Sequence, residues 1–277
     1  MRTAVITVAS SARREHFERQ RRVLAEVAAD IVRVEAWLDE TAPAGIQDAE
    51  SLTLHVPPGP VGLRVGEGRN RAAEAAVAAG AKLLVFLDVD CLPGPDLLPA
   101  YRSAAAAYPD ALLAGPVTYL ASVQRPESAA DLPFLTRPHR ARPALPLGVN
   151  RRATAAEYDL FWSLSFAVAP PTWERIGGFA PVYEGYGAED TDLAWSARAR
   201  GVEMRWVGGA DAYHQWHPVS SPPWQHLDDI LRNGAMFHER WGVWPMSGWL
   251  EAFAAAGAIE RRGGGWARVH GRGRQPR

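Results

Sequence analysis

Cysteine is almost absent, with Cys91 standing alone in 277 residues. One thiol excludes an internal disulfide and fits a reducing compartment. A secretory leader pattern is missing too: the apolar stretch 3–8 is short, and small polar residues and then charges follow it. No run approaches the roughly 20 apolar residues that a membrane-spanning helix needs. These absences predict a cytoplasmic chain without a transmembrane segment, a membrane-peripheral location being left open. Neither charge sign dominates: 30 Lys+Arg stand against 31 Asp+Glu, a formal net charge of -1. That argues against capture of nucleic acid by the surface as a whole. No Gly-rich loop ends in Lys-Ser/Thr, and no dinucleotide glycine fingerprint follows the first predicted strand, which disfavours ATPase and dehydrogenase chemistry.

The remaining composition is that of a soluble globular chain, 47% hydrophobic and 22% charged. Its length suits one large α/β domain or two small ones. Apolar periodicity predicts strands over 3–10, 31–38, 52–56 and 83–87, and helices over 13–29 and 69–79. Glycines 62, 66 and 68 are expected to keep the segment before the second helix irregular. This alternation predicts an α/β fold with a mostly parallel sheet covered by helices. A helix over 96–107 and strands over 111–117, 161–168 and 204–207 follow, with helices over 171–176, about 189–200, 225–240 and 247–256. Residues 118–154 lack periodicity, and a loop this long inside a domain is usually functional or disordered. The Arg/Gly-rich end, 261–277, reads as disordered.

The run Leu83-Leu84-Val85-Phe86-Leu87 leads straight into Asp88-Val89-Asp90. An unbroken apolar run suits a strand buried on both faces, and ligands of open α/β sheets gather beyond such strand ends. Alternation points both aspartates one way and returns Val89 to the core. Paired carboxylates there suit Mg²⁺ or Mn²⁺, although for the triplet taken alone a solvated acidic turn is the favoured reading. Glu189-Asp190-Thr191-Asp192 opens a predicted helix behind Gly185-Tyr186-Gly187-Ala188. Crowded carboxylates raise one another's proton affinity, which is a way to make a general base, but acidic N-terminal capping explains them as well. His214 and His217 flank Gln215-Trp216; they are either metal ligands, favouring Mn²⁺ beside a carboxylate, or packed core histidines. Arg64, Arg69, Asn70 and Arg71 bracket a helix start, where arginine suits a nucleotide's phosphates or base; scattered surface cations are the alternative.

With these segments in order, the sequence resembles the GT-A-fold glycosyltransferases, in particular family 2 and the galactosyltransferase-like proteins. Residues 85–90 look like that family's donor-metal motif, and Gly68-Arg69-Asn70-Arg71-Ala72 is similar to its Arg-Asn helix start. Gly177-Gly178-Phe179, followed by Gly185 to Leu193, resembles the segment that carries the acceptor site and the base. The resemblance covers about residues 3–218. It implies a metal-dependent inverting transferase, with Mn²⁺ (or Mg²⁺) as cofactor, moving a hexose or N-acetylhexosamine. The donor would be a nucleotide-diphosphate sugar, a UDP-sugar being favoured, and the acceptor a carbohydrate, glycolipid or small molecule.

Residue by residue, the resemblance implies that Asp90 holds the metal with His214 or His217. It makes Asp190 the base, with Glu189 holding the acceptor. Asp39, Arg64, Asn70 and Asp88 would bind the donor, and Trp162, Tyr186 and Gly187 the acceptor. The second predicted strand ends in Trp37-Leu38-Asp39-Glu40 rather than the common Asp-Asp-Gly-Ser, so the base contact of Asp39 departs from the pattern. The expected organisation is one GT-A-like domain over 1–258. It comprises a nucleotide-sugar half (1–117), an acceptor and catalytic half (118–218) and C-terminal helices (223–258). A sugar-nucleotide pyrophosphorylase and a catalytically inactive sugar- or nucleotide-binding protein are the alternatives.

Overall fold

The computed structural model describes residues 1–42 and 51–269. The element order begins β1 (Thr3–Ala9), α1 (Arg14–Val27), β2 (Ile31–Trp37), β3 (Ser51–His55), α2 (Val65–Ala78), β4 (Leu83–Leu87). It continues β5 (Cys91–Pro93), α3 (Leu97–Ala107), β6 (Leu112–Ala114), β7 (Val117–Tyr119), β8 (Asn150–Arg152), β9 (Ser165–Val168). The last part is α4 (Pro170–Ile176), α5 (Glu189–Ala199), β10 (Met204–Val207), β11 (Ala212–His214), α6 (Leu227–Trp241), α7 (Ser247–Ala255), β12 (Ile259–Arg262) and β13 (Gly265–Arg268). Eight strands form one sheet in the order β3-β2-β1-β4-β9-β6-β10-β8. β3, β2, β1 and β4 run parallel, while β9 runs antiparallel to β4 and β6 on either side of it.

The central strand β4 is buried throughout because helices cover both faces of the sheet. Its side chains alternate: Leu84 and Phe86 pack with Ala72, Ala73 and Ala76 of α2, and Leu83, Val85 and Leu87 with Leu97, Tyr101 and Ala104 of α3. Phe86 stacks on Phe166 of β9, ring centroids 4.3 Å apart. Past the strand end, Val89 returns to the interior among Ala9, Phe17 and Trp37. The alternation expected holds within β4; beyond Leu87 a turn, closed by Cys91 N–H donating to the Asp88 carbonyl at 2.8 Å, carries both aspartates while Val89 is buried.

Helix α2 begins a turn earlier than periodicity predicts. Glycines 66 and 68 lie within it: a Cβ on Gly68 would sit 3.0 Å from a methyl of Leu38, and one on Gly66 2.9 Å from Phe179. They allow close packing of the helix rather than irregularity. Residues 118–154, without periodicity, contain β7, a 3-10 turn (Ala129–Leu135) and β8. A second sheet, β5-β11-β7, stands beside the main one. The end of the chain also departs from expectation. Instead of a disordered tail from 261, β12 and β13 pair as a hairpin, anchored by buried Ile259 beside Leu250 and Phe253 of α7. The rest of that tail, 270–277, and residues 43–50 lie outside the described residues. Among the described residues, no helix is long and apolar enough to cross a membrane.

Because Phe86 joins two helices to the sheet centre, Phe86→Ala is expected to cost about 4 kcal/mol of stability. Urea unfolding with an unchanged slope checks this; a loss below about 1 kcal/mol would contradict so central a packing role.

Candidate active site

Asp88 and Asp90 leave the end of β4 together but meet different partners. Asp88 accepts a 2.6 Å hydrogen bond from Arg69 Nη2. Arg69 comes from the first turns of α2, is only 4% exposed, and lies with its guanidinium carbon 4.9 Å from the Phe179 ring centroid. Its Nη1 stands 3.7 Å from Glu189 Oε1 and has no hydrogen-bond partner among the described residues. Neighbouring Asn70 explains this placement. Its amide donates to the Phe179 carbonyl and accepts from the Phe179 N–H, both at 2.9 Å, tying α2 to the 177–179 turn.

Glu189 and Asp190 open α5, behind Ala188 in a left-handed conformation (φ 76) that a non-glycine residue rarely adopts. Helix α6 holds the approach to it. Asn233 Nδ2 donates to the carbonyls of Glu184 (3.0 Å), Tyr186 (3.2 Å) and Gly187 (3.0 Å), and Tyr186 N–H donates to Asp229 (3.1 Å). The acidic cluster then divides. Asp192 is buried, accepting from Tyr183, Trp241 and Arg240, and so binds α5 to α6. Glu189 and Asp190 instead line a cleft of about 1000 Å³. Burial, then the charge of Asp190, raises the Glu189 carboxyl to about 7. Burial raises Asp190 as well, against the hydrogen bond from Thr191 N–H.

The cleft gathers Arg69, Asp88, Trp162, Tyr186, Gly187, Glu189 and Asp190 into one space. Trp162 is held by Arg142, whose buried guanidinium donates to the carbonyls of Gly115 (3.0 Å), Leu160 (3.3 Å) and Trp162 (2.6 Å). Trp244 and Trp249, from α7 and the segment before it, complete the far wall. Tyr186 stacks on His226, centroids 4.3 Å apart.

Beside this cleft, Asp90 meets both histidines. His214 Nε2 and His217 Nε2 each lie 3.5 Å from Asp90 Oδ2, and the three donor atoms fall within 4.8 Å of one another. The pairing of β11 with β5 does this, setting His214 opposite Cys91 with Gln215 N–H donating to the Asp90 carbonyl at 2.6 Å. Burial pushes the Asp90 carboxyl up, but the hydrogen bond from His217 and the charges of His214, His217 and Arg13 outweigh it and hold the group at about 2. Two imidazole nitrogens and one carboxylate oxygen make a chemically sound set for a divalent ion. Tyr119, which lines the cleft, packs 4.7 Å from the His214 ring, so the two sites adjoin.

Three residues expected at the donor have other commitments. Asp39 accepts from Ser11 N–H at 2.9 and 3.0 Å. Arg64 donates twice to the Pro57 carbonyl. Asn70 clamps Phe179, as above. Among the four residues expected at this helix start, only the tertiary contact of Arg69 with Asp88 and Glu189 distinguishes it from its neighbours. Trp244 and Trp249 carried no local signal at all.

The raised Glu189 carboxyl makes stability depend on pH. The folded chain binds this proton more tightly than the unfolded chain, whose value is near 4.5. The associated stability is thus complete below about pH 4.5 and fades as pH rises through about 7. Glu189→Gln is expected to stabilise the protein at pH 8 by on the order of 3 kcal/mol and to change little at pH 4.5. Thermal melts in EDTA at both values check this, and equal shifts at the two would sink it.

No protein-family model matches the chain. It is 28% identical over 175 residues to a validoxylamine A glucosyltransferase of Streptomyces hygroscopicus subsp. jinggangensis, covering 56% of this chain and 40% of that one. The counterpart from subsp. limoneus matches equally, at 38% of its own length. The chain therefore spans about 40% of the length of these curated relatives. Among solved structures, GalNAc-T7 with UDP, GalNAc and Mn²⁺ superposes at a TM-score of 0.60 and 13% identity, over 87% of this chain and 48% of that one. TarS of S. aureus in complex with UDP-GlcNAc gives 0.57 and 12%, over 86% and 67%. In its mixed sheet and flanking helices, this chain has the fold of the GT-A glycosyltransferases.

Proposed function

We propose that this chain transfers a hexose or N-acetylhexosamine from a nucleotide-diphosphate sugar, UDP-sugar favoured, to an acceptor hydroxyl, inverting the anomeric centre. The observation that carries this reading is the junction of two sites. A cleft lined by the Glu189 and Asp190 carboxylates lies against a cation-competent trio, and Arg69 spans from Asp88 towards Glu189. The names of the similar proteins support it: GalNAc-T7 was solved with UDP and Mn²⁺, TarS with UDP-GlcNAc, and the Streptomyces relatives are glucosyltransferases. Nothing supports the pyrophosphorylase alternative, and Ala9-Ser10-Ser11-Ala12 after β1 lacks the basic Gly-rich loop that it needs. We place the reaction in the cytoplasm. The family 2 assignment rests on residues 68–72, and the division into halves at 117/118 on the gathering of acceptor-side residues after it.

In this reading Asp90, His214 and His217 hold Mn²⁺ (or Mg²⁺), which would supply positive charge against the departing diphosphate. Imidazole ligands favour Mn²⁺ of the two. Arg69 Nη1, without a hydrogen-bond partner among the described residues, offers an N–H to a sugar or phosphate oxygen. The acceptor oxygen bonds to the anomeric carbon while the bond from that carbon to the diphosphate oxygen breaks. The electron pair leaves with the diphosphate, and the acceptor proton passes to Asp190. Glu189 holds the acceptor hydroxyl, and Trp162 and Tyr186 offer ring faces to the sugars. A second assignment, with Glu189 as the base, is favoured by its value of about 7, near the working pH of a general base.

Asp190→Asn is expected to lower kcat by about 100-fold or more on an identified acceptor. Activity should rise with pH through the base's pKa. If Glu189→Gln keeps that rise, Asp190 is the base; if Glu189→Gln abolishes turnover and Asp190→Asn does not, the roles exchange. Transfer that retains the donor's anomeric configuration, read by NMR coupling, would sink the single displacement. For the ion, His214→Ala and His217→Ala are each expected to weaken Mn²⁺ binding seen by electron paramagnetic resonance. Wild-type affinity in both variants would remove the trio as the metal site.

A further inference from the structure

Arg142 is a cation buried without an acid. It lies in the aperiodic stretch between β7 and β8 and is only 3% exposed. No carboxylate pairs with it among the described residues. Burial pulls its guanidinium down to about 10, so it still carries its charge at neutral pH. Its donors go to backbone instead: the carbonyl of Gly115, past β6, and those of Leu160 and Trp162, before β9. The guanidinium carbon stands 4.9 Å from the Trp162 ring centroid and 5.5 Å from that of Trp206. The main chain of Arg142 is tied as well. Its N–H donates to the His139 carbonyl at 2.9 Å, and His139 N–H donates to the Val117 carbonyl of β7 at 2.8 Å. The His139 ring meets the Trp162 ring edge to face, centroids 5.0 Å apart, and both line the cleft.

A buried charge left without a counter-charge lowers stability, and an apolar side chain of similar volume would fill the same space without that loss. What the guanidinium adds is geometry. Its planar fork reaches three carbonyls from two segments while its carbon lies over an indole ring, which the single nitrogen of a lysine cannot reproduce. The carbonyls at 160 and 162 are thereby fixed, and the backbone between them sets the direction of the Trp162 side chain. One residue therefore orders both rings on this wall, Trp162 through its side chain and His139 through its main chain. The wall is continuous with the strand-end carboxylates, because two residues on, the Leu164 carbonyl accepts from Asp88 N–H at 2.9 Å. We propose that Arg142 is a positioning residue: it touches no reacting atom, and it holds the Trp162 ring in the one orientation that meets the acceptor. This rests on the transferase reading, in which Trp162 offers its face to a sugar.

The first measurement needs no substrate. In the full chain labelled with fluorotryptophan, the fluorine resonance of Trp162 is assigned by its loss in Trp162→Phe. Arg142→Lys keeps the charge without the fork, and Arg142→Gln keeps two N–H donors without the charge. Each is expected to broaden or split the Trp162 line, with circular dichroism and Mn²⁺ binding unchanged. On an identified acceptor, each is expected to raise KM by about tenfold while kcat stays within about threefold. A residue that acts through Trp162 adds nothing once the ring is gone, so Arg142→Gln/Trp162→Ala is expected to match Trp162→Ala. An unchanged Trp162 line overturns the proposal, and so do additive losses in the double variant. Failure of both Arg142 variants to fold also overturns it and leaves Arg142 a residue of the scaffold alone. If the line responds but no nucleotide sugar yields a transfer product, the positioning of Trp162 stands and the transferase reading fails.

Discussion

One buried cation organises the site. Arg69 is nearly inaccessible to water, and a guanidinium can be left there only if carboxylates face it. Asp88 supplies the close partner and Glu189 the looser one, so α2, the end of β4 and the start of α5 are held to one point. Remove the charge and two acids face each other across a cleft; remove the acids and an arginine is stranded in the interior. The arrangement leaves Nη1 unsatisfied, so the demand for a further oxygen is built into the packing.

Around that point the structure separates two electrostatic settings. The cleft is acidic and walled by aromatic rings, whereas a small hollow past His217, lined by Arg13, Arg19 and Arg125, is basic. Asp90 and its histidines stand between them, reached from the cleft through Tyr119 and from the hollow through His217.

Much of this was legible in the chain where local pattern and tertiary role coincide. The run 83–87 reads as a strand buried on both faces and is one, and Val89 is buried as expected, though a turn rather than the strand's pleat carries the two aspartates. The glycines before Asn70 misled because their role is the closeness of α2 to Leu38 and Phe179, which local pattern does not carry. The same holds for Asp192, one carboxylate among three until Trp241 and Arg240 arrive from α6. Segments 117–119 and 150–152 showed no periodicity because each is three residues long and pairs with a distant strand. The terminal hairpin was hidden by its glycines, which form its turn rather than a loose end.

The register of β11 on β5 has a consequence for the order in which the protein acquires its parts. His214 faces Cys91 across that ladder, and Asp90 meets its imidazoles only through it. A nascent chain that has completed the four parallel strands still carries an unmatched aspartate. The trio of donor atoms is complete only after the later strand has emerged and docked, so the chain's connectivity sets when any cation could be held there.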